Sequence, residues 1–221
     1  MRLMAGLIKT SAGTVILNGK PIFEYSRTEA ARLIAHVPQK TEIAFGMTVL
    51  SYVLMGRTPF WSPLANESRR DAEIAFSALE NVGLTGLADR DADTLSGGEM
   101  QRAMIAKALC QTTDILLLDE PVASLDIAHS LDIMKLLRRL ADREDKTIVV
   151  VMHDLTLASH FADDLLVMQT GRLALSGKAD AVIRDDRISA IYQTKLKIIQ
   201  DEGVSYILPI LPVHGTKEII M

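Results

Sequence analysis

The sequence predicts an α/β fold built on a mostly parallel sheet, with an antiparallel hairpin element and a helical insertion. Three observations predict it. Residues 115–118 (Ile-Leu-Leu-Leu) and 147–152 (Thr-Ile-Val-Val-Val-Met) are short continuous apolar runs, and each ends in polar groups, Asp119-Glu120 and His153-Asp154. Such runs suit strands buried in a parallel sheet. Between them, Ile127, Leu131, Met134, Leu137 and Leu140 recur at helical spacing, with Lys135, Arg138 and Arg139 on a solvated face. Finally, residues 42–110 read as mostly helical and interrupt the strand pattern.

Taken in order, residues 1–7 are apolar and helix-prone but lack a capping residue, so they read as the middle of a helix, broken at Ser11-Ala12-Gly13. Residues 14–23 read as a hairpin turning at Asn18-Gly19, a pair suited to positive φ, with the second strand reaching Phe23. Residues 24–35 read as a short helix starting near Ser26 or Thr28, followed by His36-Val37-Pro38-Gln39 ending a strand. Within 42–110, a first helix around residues 46–57 gives way to a loop with Pro59, Trp61 and Pro63. A second helix starts at about Asn66, is marked by Ile74, Ala75, Ala78, Leu79 and Val82, and ends at Gly83 and Gly86. A third opens at Ser96, where Ser96 and Glu99 have capping-box spacing. Beyond the second apolar run come a helix at 156–161 and a hairpin whose strands, 164–169 and 173–175, meet at Thr170-Gly171. From Ala179 a helix and a mixed tail with little chemistry follow.

Composition excludes several classes. The chain has 221 residues, 48% hydrophobic and 24% charged, which suits one α/β domain with an inserted subdomain. The formal net charge is −4 with both signs mixed along the chain, so neither a nucleic-acid patch nor a polybasic membrane anchor is indicated. Cys110 is the single cysteine, which rules out a disulfide framework and fits a reducing compartment; it reads as a small core residue. No apolar run approaches the roughly 18 residues that span a membrane. Residues 3–8 are too short for a signal-peptide core. A membrane role would therefore come through a partner.

The chemistry lies at the strand ends and one helix start. Two acids at the carboxyl end of a buried strand lie where open α/β sheets bind ligands. There Asp119 can hold magnesium through water and Glu120 can polarise an attacking water; the plainer reading is a solvated strand end. Ser96 and Glu99 form an ordinary cap, but a cap does not need Gly97 and Gly98 between them. Two glycines at a helix N-terminus expose backbone N–H groups to the close approach of a phosphate.

Together, LSGGEMQR (95–102), ILLLDEP (115–121) and ASLD (123–126) resemble the signature, Walker B strand and D-loop of the ATP-binding-cassette (ABC) ATPases, in matching order and spacing. The resemblance covers essentially the whole chain, and MGRTP (55–59) is similar to importers of iron–siderophore, haem or cobalamin. It implies one nucleotide-binding domain over 1–221, its helical subdomain (about 42–110) inserted in a catalytic core (1–41 and 111–221). The implied roles are Glu120 as general base, His153 as the switch histidine on the γ-phosphate, and Asp119 and Gln39 serving magnesium, Gln39 as the Q-loop. Ser96, Gly97, Gly98 and Gln101 would contact ATP held by the opposite subunit, and Asp126 would link the two sites. Implied cofactors are ATP and magnesium. Implied partners are a second cassette, as homodimer or pair, and transmembrane permease subunits at the cytoplasmic face of the membrane, with a periplasmic or extracellular binding protein engaged indirectly. A docking helix of the permease is expected against Gln39, Phe45, Phe60 and Trp61.

The pattern departs from the family at one point. GxxxxGK[ST] does not occur in the 221 residues: Gly19-Lys20 precedes Pro21, and Gly177-Lys178 precedes Ala179. By motif alignment that lysine would lie about four residues before Met1, so the expectation is a chain that starts just past its phosphate loop and its feeding strand. Two rival readings follow: a truncated, catalytically incompetent cassette kept as a binding partner, and a soluble cassette ATPase of DNA repair or translation. The latter usually carries coiled-coil insertions or a second cassette, and neither is present here.

Overall fold

The structure, a computed structural model, describes residues 1–39, 41, 46–62, 67–123, 125–201 and 204–210. They divide into two units, one ending at Met152 and one beginning at His153. The first unit does not open on the middle of a helix. Ala5 N–H donates to Met1 O, Gly6 N–H to Leu3 O at 3.1 Å, and Leu7 N–H to Arg2 O at 3.0 Å. With Gly6 at φ +68°, this is the Schellman pattern that ends a helix. The break therefore comes at Gly6, earlier than Ser11, because a left-handed glycine outweighs the apolar residues around it.

The expected hairpin follows as β1 (Ile16–Leu17) and β2 (Lys20–Pro21), turning on Asn18 and Gly19 at φ 48° and 78°. Both angles are positive, as a two-residue type I′ turn requires. The second strand stops at Pro21, short of Phe23, and Ile22–Glu24 form a 3-10 turn instead. Helix α1 (Arg27–Leu33) starts at Ser26 in a reciprocal capping box with Glu29. It ends two residues earlier than expected, where β3 (Ile34–Val37) takes over.

Helix α2 (Val49–Leu54), capped by Thr48, runs into a 3-10 stretch, Met55–Phe60. Helix α3 (Arg69–Asn81) starts at the Ser68–Asp71 capping box; Asn66, where its start was expected, lies outside the described residues. Helix α4 (Gly97–Cys110) starts at the expected Ser96–Glu99 box. The three helices pack on one another, burying Val49, Val53, Ala75, Leu79, Ala103 and Ile105, and α4 also packs on β3. Cys110 is in this core, as its sequence context indicates.

Strands β4 (Ile115–Asp119) and β5 (Thr147–Val151) complete a three-stranded parallel sheet of order β3-β4-β5. The middle strand is buried on both faces: Leu116, Leu117 and Leu118 are each no more than 2% exposed. Helix α5 (Ile127–Glu144) is the crossover between β4 and β5. It buries Ile133, Met134, Leu136, Leu137 and Leu140, but Ile127 is 82% exposed, so the apolar stripe begins later than the spacing predicts.

The second unit contains α6 (Leu155–Phe161), capped by Asp154, and the antiparallel pair β6 (Asp164–Gln169) and β7 (Arg172–Lys178). Short helices α7 (Ala179–Ile183) and α8 (Arg187–Ile191) follow. Val167, Leu175, Val182 and Ile188 form its core. The tail that the sequence reads only as mixed contains a hairpin: β8 (Leu196–Asp201) and β9 (Val204–Pro209) pair antiparallel, and Thr156 Oγ1 of α6 accepts from Ile207 N–H at 3.1 Å. No helix among the described residues is long and apolar enough to cross a membrane.

One junction organises the helical part. Gly56 lies so close to α4 that a Cβ there would stand 2.3 Å from Lys107 O. Next to it, buried Arg57 donates to Asp71 at 2.8 Å, to Cys110 O at 3.0 Å and to Thr112 Oγ1 at 2.8 Å, under the ring of Phe60. Hydrogen bonding from Arg57, with help from Ser68, holds the Asp71 carboxyl down at about 2. Because the folded state depresses this pKa, the pair stabilises the fold above the unfolded carboxylate value, and that stability is lost as pH falls through about 2. We expect Arg57→Leu to strand a buried carboxylate and lower unfolding free energy by about 3 kcal/mol at neutral pH. Its deficit should shrink towards pH 2. Urea denaturation of both chains across that range checks this; a variant as stable as the parent at pH 7 would refute it.

Candidate functional site

Parallel register assembles the first group of site residues. Val37 pairs with Leu118, so Gln39, two residues beyond, comes level with Glu120. Gln39 Nε2 donates to Glu120 Oε2 at 2.6 Å, across 81 positions of sequence. Asp119 is the last residue of β4, paired with Val151 and half-buried. Glu120 leaves the strand in the left-handed region, φ 49°, and its N–H donates to Val151 O at 2.9 Å. A glutamate there is strained, and non-glycine residues in such conformations cluster at functional sites. The sheet bond and the following Pro121, itself buried, hold this backbone in place. The three groups expected to serve hydrolysis are thus together at the carboxyl ends of β3 and β4.

The group has the composition of a magnesium site shared with phosphate. No cluster of three or more His, Cys, Asp or Glu side chains suited to a metal occurs among the described residues. Magnesium keeps several waters and takes one or two carboxylates plus substrate phosphates, and Asp119 with the Gln39 amide matches that sparse donor set. His36 is a neighbour that sequence reasoning did not single out. It lies on β3 with its Nε2 buried and without a hydrogen-bond partner among the described residues; burial pushes its proton affinity down, while the Asp119 charge opposes that.

The second group lines one cleft, formed by Ser96, Gly98, Glu99 and Arg102 of α4 with Leu125, Asp126 and His129. Ser96 is the N-cap: its Oγ accepts from Glu99 N–H at 3.3 Å, and Glu99 Oε2 accepts from Ser96 N–H at 2.8 Å. The Ser96 hydroxyl also donates to Glu99 Oε2 at 2.8 Å, and the two bonds this carboxylate accepts, from the Ser96 N–H first and the hydroxyl second, hold it below its usual range. Among the described residues outside its own helix, none comes within 4 Å of the position a Cβ on Gly97 would take. Gln101 sits one turn into the helix, 5% exposed, with its Nε2 buried and without a partner among the described residues. Asp126 caps α5, taking His129 N–H at 2.9 Å, and its other oxygen lies 2.7 Å from His129 Nδ1. Together these bonds depress the Asp126 carboxyl. His129 had no signal in the sequence beyond its place three residues after Asp126. Ser124 lies outside the described residues, as does Phe45 of the expected docking region.

His153 opens the second unit, exposed, and the next residue, Asp154, caps α6 through Leu157 N–H at 2.9 Å. Of the other docking residues, Phe60 is 36% exposed and Trp61 half-buried, and Arg32 donates to Pro59 O at 2.9 Å.

Comparison with known proteins gives a consistent family. A model described as "ABC transporter" matches residues 1–123. The iron(3+)-hydroxamate import ATP-binding protein FhuC of Bacillus subtilis is 37% identical over 91% of this chain and 75% of its own length. The ferric enterobactin transport ATP-binding protein FepC of Escherichia coli is 34% identical over 95% and 78%. The cobalamin import ATP-binding protein BtuD of Halobacterium salinarum is 38% identical over 91% of this chain, which spans only 50% of that relative. Among solved structures, an inward-facing metal-chelate type ABC transporter superposes with TM-score 0.74 at 28% identity, covering 81% of this chain and 72% of the other. A dimeric ATP-binding cassette bound to ADP and Pi superposes with TM-score 0.71 at 27% identity, covering 80% and 78%.

The open surroundings of Gly97 generate a discriminating expectation. Beyond its own helix and chain neighbours, Gly97→Ala meets no atom of the described residues, so its stability should stay equal or rise by up to about 1 kcal/mol. Binding of a phosphate-bearing partner at that N-terminus should nonetheless fall. Thermal melts paired with ATP-dependent association measure both; unchanged association would remove Gly97 from the site.

Proposed function

We propose, from the fact that this chain belongs to the ABC transporter family, that it is the ATP-hydrolysing subunit of an importer. The cargo we assign is an iron–siderophore complex, haem or cobalamin. The relatives named for hydroxamate, enterobactin and cobalamin import support that class, as does MGRTP at 55–59. The observation that carries the catalytic part is the 2.6 Å bond between Gln39 and Glu120, beside Asp119 at the sheet's carboxyl edge.

In this reading Glu120 is the general base. Its carboxylate accepts the proton of the attacking water, and Gln39 holds that carboxylate and the water in register. Asp119 and Gln39 would hold magnesium, which would supply neutralisation of the phosphate charge. His153 donates to the γ-phosphate. Ser96, Gly97, Gly98 and Gln101 meet the nucleotide carried by a second cassette, and Asp126 ties the two sites together. Two cassettes would sandwich two ATP molecules, and their closure would drive permease subunits at the cytoplasmic face of the membrane. Residues 42–110 would serve as the helical subdomain that faces those subunits, with Phe60 and Trp61 in the contact. A binding protein outside the membrane would deliver cargo.

Glu120→Gln tests this in a chain carrying a phosphate loop ahead of Met1. The amide keeps the shape and removes the proton acceptor, so ATP should still bind and the ATP-bound dimer should persist. Turnover should fall by roughly 10²-fold or more. Near-normal turnover would refute the assignment of the base. Trp61→Ala should weaken association with the permease more than ATP binding, and cross-links to the permease that map elsewhere would refute the docking surface.

A further inference from the structure

We infer that His129 is a positioning residue, which holds the Asp126 carboxylate through its Nδ1 and so sets that acid's orientation in the cleft beside Ser96 and Gly98. This deepens the proposed function and rests on its reading of Asp126 as the link between two sites. Both oxygens of Asp126 are engaged by one residue: Oδ1 by the His129 N–H at 2.9 Å and Oδ2 by the His129 ring at 2.7 Å. An ionised carboxylate only accepts, so Nδ1 is the donor and only Nε2 is left for anything else.

A purely structural role for His129 is a poor explanation. It occupies the third helical position of α5, and the corresponding residue in three other helices is an acid: Glu29, Asp71 and Glu99 each bond back to the backbone of a serine N-cap. An acid or amide there satisfies an orphan N–H and suits the positive end of the helix. A histidine does neither for its helix. At α5 the acid is at the N-cap itself, and the third position returns a bond to the acid's side chain. The bond contributes little to an exposed helix start, since Asp126 is 65% exposed at its side chain. It does remove the carboxylate's freedom to rotate, and both residues line the cleft that α4 opens into with Gly98 and Arg102.

Two substitutions separate positioning from capping. His129→Gln supplies an N3 amide that a helix start accepts but puts no donor where Nδ1 stood. His129→Asn places an amide N–H close to the Nδ1 position. In the full-length gene product assembled with its membrane partner, we expect H129Q to melt like the parent and to lose roughly threefold to tenfold in ATP turnover at unchanged KM. H129N should recover most of that loss. H129Q turning over at the parent rate, or H129N losing as much as H129Q, would overturn the inference. Long-range 15N–1H NMR of the His129 ring, assigned by the signal missing in H129Q, decides the pair independently of turnover. A proton on Nδ1 is expected, and a neutral ring with its proton on Nε2 alone would overturn it. A parent complex without ATP turnover would refute the proposed function, while the ring measurement would still decide whether His129 holds Asp126.

Discussion

Strand β4 has nowhere to put a polar group until it ends. Leu116, Leu117 and Leu118 are sealed on both faces, and the strand is hydrogen-bonded on both sides by β3 and β5. Its first polar side chains, Asp119 and Glu120, must therefore appear together where the sheet stops. The chain then has to turn sharply, and it does so by placing Glu120 in the left-handed region, secured by its N–H on Val151 O. The in-register neighbour β3 brings Gln39 level with that glutamate. The composition of the edge follows from burial, strand direction and register, which is why open α/β sheets present ligand groups at this end.

The helical part solves a different problem, that of helix ends needing partners for free N–H groups. Ser26, Ser68 and Ser96 each answer it with a reciprocal acid three residues later. Asp71 answers it twice, capping α3 while neutralising buried Arg57, so a helix start and the packing of α3 against α4 depend on the same carboxylate. The arrangement leaves no room for a side chain at Gly56 and ample room at Gly97. The first glycine is required by the chain's own packing; the second is not.

Elements whose signals are local were legible in the residues. Asn18-Gly19 specifies its turn because both positions need positive φ, and the Ser96–Glu99 spacing identifies the start of α4. The apolar run 115–118 announces β4, with only Asp119 added. Elements that depend on a distant partner were not. The 3-10 turn after Pro21, the early end of α1 at β3, and the hairpin β8–β9 all carry ordinary apolar residues. Packing decides their state: Ile22 is buried in a cluster with Leu17, Ile34 and Leu117, and β9 is held by Thr156 of α6. Ile127 has the spacing of a core residue and is exposed, since periodicity defines a face but not how far along the helix that face is covered.

The same division runs through the candidate site. The sequence by itself determined which groups stand at strand ends and at the start of α4, because burial, backbone geometry and capping are properties of short stretches. It carried Gln39, Ser96, Gly97, Gly98, Gln101, Asp119, Glu120, Asp126 and His153 as candidates on residue type, position and resemblance. Only the tertiary structure decided that Gln39 bonds Glu120 across 81 residues, that Arg57 is buried against Asp71, and that His129 takes both oxygens of Asp126. Each of these depends on side-chain direction and on the register or packing of separate segments, and a hydrogen bond requires positions correct to a few tenths of an ångström, which no pattern of residue types along the chain specifies.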